Sequence, residues 1–296
     1  MRLAHSFASL ASLSLTLSLV ACGDDSAQQP TLDAPVAIDA GTSAVTIRFA
    51  ARVNGAPFAC GHSYPNVGVA NSTYVGADFR FFVHDVALVP RGGGAPVPVA
   101  LTVNDHQTAD GVALLDFEDG TSTCQMGSTA TYTALVGSVT AGDYRGLTFK
   151  LGVPFGKNHL DPAGAAPPYT DPGLTWAWQF GYKFVKADGI VGGAGFNLHV
   201  GSTGCPGENF EQPPSGPCVN PNLATIALTS FDATADTAVA DVGAVLAGED
   251  VGVNTAKTAP GCMSFPGDPE CDTVFPKIGL PFEAVAAGQQ TFFHVE

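Results

Sequence analysis

The chain has 296 residues, with 12 Lys plus Arg against 27 Asp plus Glu and a formal charge of −15. It has no basic run of any length, which excludes a nucleic-acid partner as an expectation; its acidity favours solubility and the approach of a cation or a basic protein. Gly and Pro, 35 and 22 residues, point to a loop-rich β architecture.

In chain order, the first element is a leader. Arg2 precedes the apolar run "LASLSLTLSLVAC", too short to span a bilayer, and small residues stand before Cys22. Residues 1–21 read as a signal peptide. Leu19 to Cys22 resemble a bacterial lipobox, whose cleavage would leave Cys22 lipidated and the protein anchored to a membrane, in the periplasm or at the cell surface. Residues 22–43, rich in Asp, Pro and Ala and without aromatics, read as a flexible tether. Residues 44–296 are expected to form one domain, since about 250 residues suffice for a substantial core and no linker interrupts them.

Short runs rich in Val, Phe, Thr and Tyr then recur between turn-forming clusters: "AVTIRFAARV", "DFRFFVHDVALV", "GVALLDF", "ATYTALVGSV", "DYRGLTFKLGV", "TWAWQFGYKFVK", "GFNLHVG", "ATIALTSF" and "QQTFFHVE". The spacing predicts an all-β fold, an antiparallel β-sandwich or barrel-like domain with long loops at 154–173 and 206–222. Only "ADVGAVLAG" and "DTVFPKIG" read as helices, both short. In "DFRFFVHDVALV" both parities are apolar, as in a central strand, which puts His84 and Asp85 inside or at a rim, where they need partners. Asp116, Glu118 and Asp119 near Gly120 read as a solvated turn or a weak calcium site rather than a catalytic cluster.

Six cysteines follow Cys22. An even number in an exported chain reads as three disulfides; fifteen pairings are possible, and proximity favours Cys205–Cys218 and Cys262–Cys271, leaving Cys60–Cys124. No CxxC spacing supports thiolate metal binding.

The segment "TWAWQFGYKF" places Trp176, Trp178, Phe180, Tyr182 and Phe184 at every second position. Read as a strand, it puts all five rings on one face, either as an aromatic core or as an easily oxidised indole at a redox or metal site. If "GFNLHVG" pairs with it, matched apolar faces place His199 beside Gln179, Gly181 or Lys183, away from the indoles; a one-residue slip reverses this.

The stretches "VTIRFAARVNGAPFACG", "DFRFFVHDVALV", "GVALLDFEDGTSTC", "AGDYRGLTFKLGVPFGKNH", "WAWQFGYKF", "GFNLHVGSTGC", "GCMSFPGDPEC" and "QTFFHVE" together resemble the MbnP-like lipoproteins, the four-Cys proteins of metallo-mystery pair systems, from about residue 45 to residue 296. The resemblance implies a non-enzymatic copper-binding protein, without haem of its own. It is made beside an MbnH-type dihaem partner, related to cytochrome c peroxidases, that uses peroxide to oxidise a tryptophan to kynurenine. Trp176 and Trp178 match the family's W-x-W-Q-x-G-Y-K-F motif, and one of them is the expected substrate.

Copper(I) favours imidazole and thioether donors. The expected ligands are His84, His159, His199 and Met263; His62, His106, His294 and Met126 match the family motifs less clearly. The sequence has no H-x-H, HExxH or G-x-S-x-G motif, so ligands must converge from distant segments and a hydrolase is excluded. The rival reading is a non-catalytic adhesion or glycan-binding sandwich.

Overall fold

The computed structural model describes residues 41–296. The signal peptide at 1–21, the lipidation of Cys22 and nearly all of the 22–43 tether lie outside the described residues. Within them the first strand, Thr42–Val53, opens two residues before the domain start read from the sequence.

Two sheets face each other, as the all-β sandwich reading requires. One carries, in order, Phe293–Val295, Thr237–Asp241, Thr42–Val53, Ala134–Thr140 and Ala100–Leu101, with Ala56–Pro57 also paired to the Thr42–Val53 strand. The other runs Ala224–Leu228, Tyr144–Leu151, Ser72–Pro90, Val185–Val191, Ala194–Val200 and Gly261–Cys262, with three short strands added to the long central one. The sheets are not wholly antiparallel. Thr42–Val53 pairs parallel to Thr237–Asp241, and Ala194–Val200 parallel to Gly261–Cys262, because in each case the chain returns by a long crossover rather than a hairpin.

Alternation along the strands fills the space between the sheets. Phe79, Phe81 and Val83 of the central strand, Phe149 and Leu151 beside them, and Ile47 and Phe49 from the facing sheet are all buried. Phe49 meets Phe81 and Phe149 edge-on at 6.1 and 5.7 Å, and Phe293 closes on Phe81 at 5.4 Å. Such edge-to-face pairs add about 0.5–1.5 kcal/mol each beyond the apolar area they bury.

The two expected helices are present at Val242–Leu246 and Cys271–Ile278. The first is capped by Asp241, whose carboxylate accepts from Gly243 N at 2.9 Å and also from Asn54 N and Gly55 N, tying the helix to the end of the first strand. A third helix of four residues, Phe155–Asn158, opens the stretch read as loop. The strand Thr237–Asp241 was not legible, because its five residues include two alanines and run directly into the helical "ADVGAVLAG" pattern. Among the described residues no helix is long and apolar enough to cross a membrane.

Candidate functional site

Strand parity also decides what lies on the outer face of the nine-stranded sheet. With Val185 and Ala187 turned to the core, Lys186 and Asp188 point outward; with Phe196, Leu198 and Val200 inward, Asn197 and His199 point outward. Lys186 is the Cα partner of His199 on one side and of Arg80 on the other. The register therefore builds a buried row of charge. The Arg80 guanidinium, fully buried, donates to Asp78 at 2.9 and 2.6 Å, to Asp171, and to the Pro172 carbonyl at 2.9 Å. Lys186 is paired with Asp78 and lies 2.7 Å from Asp188, whose other oxygen is 2.8 Å from His199 Nε2. Burial works against ionisation of Asp188, but the neighbouring His199 and Lys186 outweigh it and hold its carboxyl down at about 2.

The acids read as a solvated turn belong partly to this network. Asp116 and Glu118 are fully buried, with a Glu118 oxygen 4.0 Å from the Arg80 guanidinium, and only Asp119 faces water. Arg80 takes its counter-charge from Asp78 and Asp171, because its own burial is otherwise unfavourable.

Over the charge row lies the aromatic segment, and it is not one strand. Thr175–Ala177 and Gly181–Tyr182 form a small antiparallel hairpin around a turn at Trp178, Gln179 and Phe180. Gly181 has φ +76°, and a Cβ there would fall 2.3 Å from the Asn158 side chain. The five rings consequently part company. Tyr182 and Phe184 turn into a small core with Phe82, Val112, Leu114, Val153 and Leu174. Phe180 packs between Phe210 and Phe265, each at 5.4 Å. The two indoles go to different neighbours. The expectation of a single aromatic face fails because the glycine reverses the chain within the alternating pattern.

Trp176 packs against Phe265 in a tilted pair at 5.4 Å and presents itself edge-on to His199, ring centroids 6.2 Å apart. This decides what the sequence left open, on which side of the indoles His199 lies: its strand pairs with Val185–Val191, and the aromatic hairpin folds back so that Trp176 meets His199. His199 is 5% exposed; Nδ1 has no hydrogen-bond partner, while Nε2 lies 2.8 Å from the Asp188 carboxylate. The indole nitrogen of Trp176 is likewise buried and without a partner. Met263 follows the parallel pair Leu198–Cys262, and its sulfur receives Asn197 Nδ2 at 3.8 Å on the face that also carries His199. Thus Trp176, His199 and Met263 lie along one outer face.

Trp178 is elsewhere. Its Nε1 donates to the His159 carbonyl at 2.9 Å, and its own carbonyl is 3.3 Å from His159 Nδ1. Burial lowers the His159 pKa, so its imidazole is neutral at neutral pH. His84 joins neither indole: it is buried, with Nδ1 2.8 Å from the Gly152 carbonyl, and burial lowers its pKa too. It sits where the central strand kinks at Asp85, φ +52°. Of the weaker candidates, His62 packs on Tyr64, His106 stacks on Tyr132, His294 lies at the exposed C-terminal strand near Glu296, and Met126 is exposed. The three disulfides are Cys60–Cys124, Cys205–Cys218 and Cys262–Cys271, the pairing that proximity favours.

Asp188, Lys186, Arg80 and Phe265 were not singled out from the sequence. The available signal was parity: Lys186 and Asp188 alternate with Val185 and Ala187 in a strand apolar enough to be central, so both polar groups require buried partners.

The profile of the MbnP family matches residues 42–264. Among solved structures, MbnP from Methylosinus trichosporium is similar in sequence and fold: 32% identity and a TM-score of 0.75, covering 86% of this chain and 98% of that one. Among curated proteins, none matches.

Proposed function

The chain belongs to the MbnP family, and from that premise we propose that it is an exported, lipid-anchored copper-binding protein that serves copper binding or homeostasis, and whose Trp176 is oxidised to kynurenine by a dihaem peroxidase-like partner. The observation that carries this reading is the pairing of Trp176 with His199, in which the buried indole nitrogen and His199 Nδ1 have no hydrogen-bond partner while Nε2 rests on Asp188. Buried polar atoms normally have partners, and a group of them left open is a place for a ligand or for chemistry.

The donor types fit copper(I). An imidazole and the Met263 thioether are the soft and borderline ligands that this ion prefers, and opening the indole of Trp176 would add an aniline nitrogen and a ketone oxygen beside His199. Copper(I) bound there would supply a soft cation held away from solvent. Trp178 lacks this setting: its N–H is committed to the His159 carbonyl and, among the described residues, no imidazole lies edge-on to its ring as His199 does to Trp176. Two peroxides supply the four oxidising equivalents and both oxygens for N-formylkynurenine, releasing two waters; hydrolysis then removes the formyl carbon as formate. The protein is the substrate of this oxidation rather than its catalyst, and the charge row beneath His199 holds the imidazole in place. Both indoles are half-buried rather than displayed as a flat platform, which disfavours glycan binding.

Peptide mass spectrometry after treatment with the dihaem partner and peroxide tests the reading. Exchange of one carbon for one oxygen is expected at Trp176, not Trp178, together with tighter copper(I) binding. Two intact tryptophans and an unchanged affinity would refute it.

A further inference from the structure

The environment of His159 selects one tautomer. The Asn158 amide is oriented by the backbone: Oδ1 accepts from Tyr182 N at 2.8 Å, and Nδ2 donates to the Phe180 carbonyl at 3.2 Å. The same Nδ2 reaches His159 Nε2 at 3.2 Å, so that nitrogen is the acceptor. His159 Nδ1 then carries the proton, which it donates to the Trp178 carbonyl. Both contacts require the same tautomer. That acceptor nitrogen also lies 3.5 Å from the Cys218 sulfur, so a metal that takes its lone pair displaces the Asn158 amide contact. His159 Nε2 and the sulfurs of Cys205 and Cys218 all fall within 4.8 Å of one another.

While the two sulfurs are bonded to each other they are poor ligands, and His159 has no second donor. The surrounding backbone, however, holds the two cysteines together independently of the disulfide. Thr203 and Asn220 exchange N–H donors at 2.9 and 3.0 Å, Val219 N donates to the Gly204 carbonyl at 3.1 Å, and Gln179 Nε2 pins the Cys205 carbonyl at 2.7 Å. Opening the bridge therefore leaves two thiols side by side, free to separate to the spacing that two metal–sulfur bonds of about 2.3 Å need.

We propose that reduction of Cys205–Cys218 turns this cluster into a second, redox-gated metal site, which takes a soft or borderline cation, copper(I) or zinc(II), through His159 Nε2 and the two thiolates. The reductant is an exported dithiol. Its two sulfurs become a disulfide, its two electrons cleave the Cys205–Cys218 bond, and two protons pass to the sulfurs; metal binding then displaces those protons. The donated Nδ1–H···O=C contact from His159 to Trp178 acts as the outer hydrogen bond that orients a metal-binding imidazole. This site is distinct from the one at Trp176 and His199 and does not depend on tryptophan oxidation.

Cobalt(II), whose thiolate complexes show a charge-transfer band, is a suitable probe in the folded H199A variant, which removes the imidazole of the first site. Before reduction, no such band is expected. After one equivalent of a dithiol, thiol mapping should find Cys205 and Cys218 free, and cobalt should give the band and be displaced one-for-one by zinc. H159A should keep both thiols and bind at least about tenfold more weakly, whereas H84A should bind as the parent does. A bridge that resists excess dithiol in the folded protein, preferential opening of another bridge, uptake without the band, or an H159A variant of undiminished affinity would each overturn the proposal. Any of these leaves the Trp176 reading standing, since that is measured with all disulfides closed.

Discussion

Trp176 meets His199 at an interplanar angle of 60°, the edge of one ring toward the face of the other, across the junction between the aromatic hairpin and the outer face of the sheet. His199 is fixed from beneath by Asp188 and through its strand by the bond from Ser264 Oγ to its carbonyl, 2.7 Å. The imidazole is thus positioned before any metal arrives. Substituting His199 by Ala should weaken copper(I) binding of the oxidised, partner-treated protein at least about tenfold, whereas His84→Ala should leave it unchanged because His84 is committed to Gly152. Competition titration against a chromophoric copper(I) chelator measures both. Equal losses in the two variants would show that the site has been misplaced.

Most of the sandwich was legible because its signal is local. Strands such as Tyr144–Leu151 and Ala224–Leu228 carry their alternation in the sequence, and the even number of cysteines after Cys22 announces staples. The site was legible only as a set of residue types. Trp176, His199 and Met263 come from a hairpin and two strand segments whose juxtaposition depends on which strand Ala194–Val200 pairs with, and parity cannot supply that. The aromatic run misled for a physical reason: a period of two is equally compatible with one strand and with a hairpin reversed at a glycine.

Gly181 is therefore the most exposed point of the design. An L-residue at φ +76° costs about 1–2 kcal/mol, and a Cβ would in addition drive into the Asn158 amide that caps Tyr182 N. Gly181→Ala should lower stability by more than that amount, read by denaturant unfolding. It should also diminish oxidation of Trp176, although the substitution touches neither the indole nor His199. Unchanged stability would mean that the hairpin reversal is not required.

The three disulfides should contribute unequally. Cys60–Cys124 closes a separation of 64 residues and Cys262–Cys271 one of 9. On chain-entropy grounds, removing the first pair by double Ala substitution should cost about 2 kcal/mol more than removing the second. Comparing urea midpoints with equal slopes checks the ranking, and a reversed order would mean that native-state contacts around Cys262 and Cys271 outweigh loop entropy.

Asp116 offers a test of the buried charge row through pH. Its carboxyl is fully buried; Oδ1 accepts from Glu118 N at 3.0 Å and Oδ2 has no partner. Burial pushes its pKa up to about 8, Arg80 opposing and Glu118 and Asp171 adding to the rise. The unfolded chain releases this proton near 3.9. Between those limits the folded state holds a proton that the unfolded state does not, so stability is greatest below the lower value and is lost as pH rises through the window toward 8. Asp188, held down at about 2, contributes nothing to the slope above about pH 5, where both of its states are ionised, and its contribution below that is common to parent and variant. Asp116→Asn keeps the acceptor for Glu118 N–H and removes the titration. The difference in unfolding free energy between the parent and the variant, measured from pH 4 to 8, should therefore shift steadily in favour of the variant. Taking the difference separates Asp116 from Asp268 and from the buried His84, which also titrate within or near this window. A difference that stays flat across the window would place a charged carboxylate, not a neutral carboxyl, beside Arg80 at neutral pH.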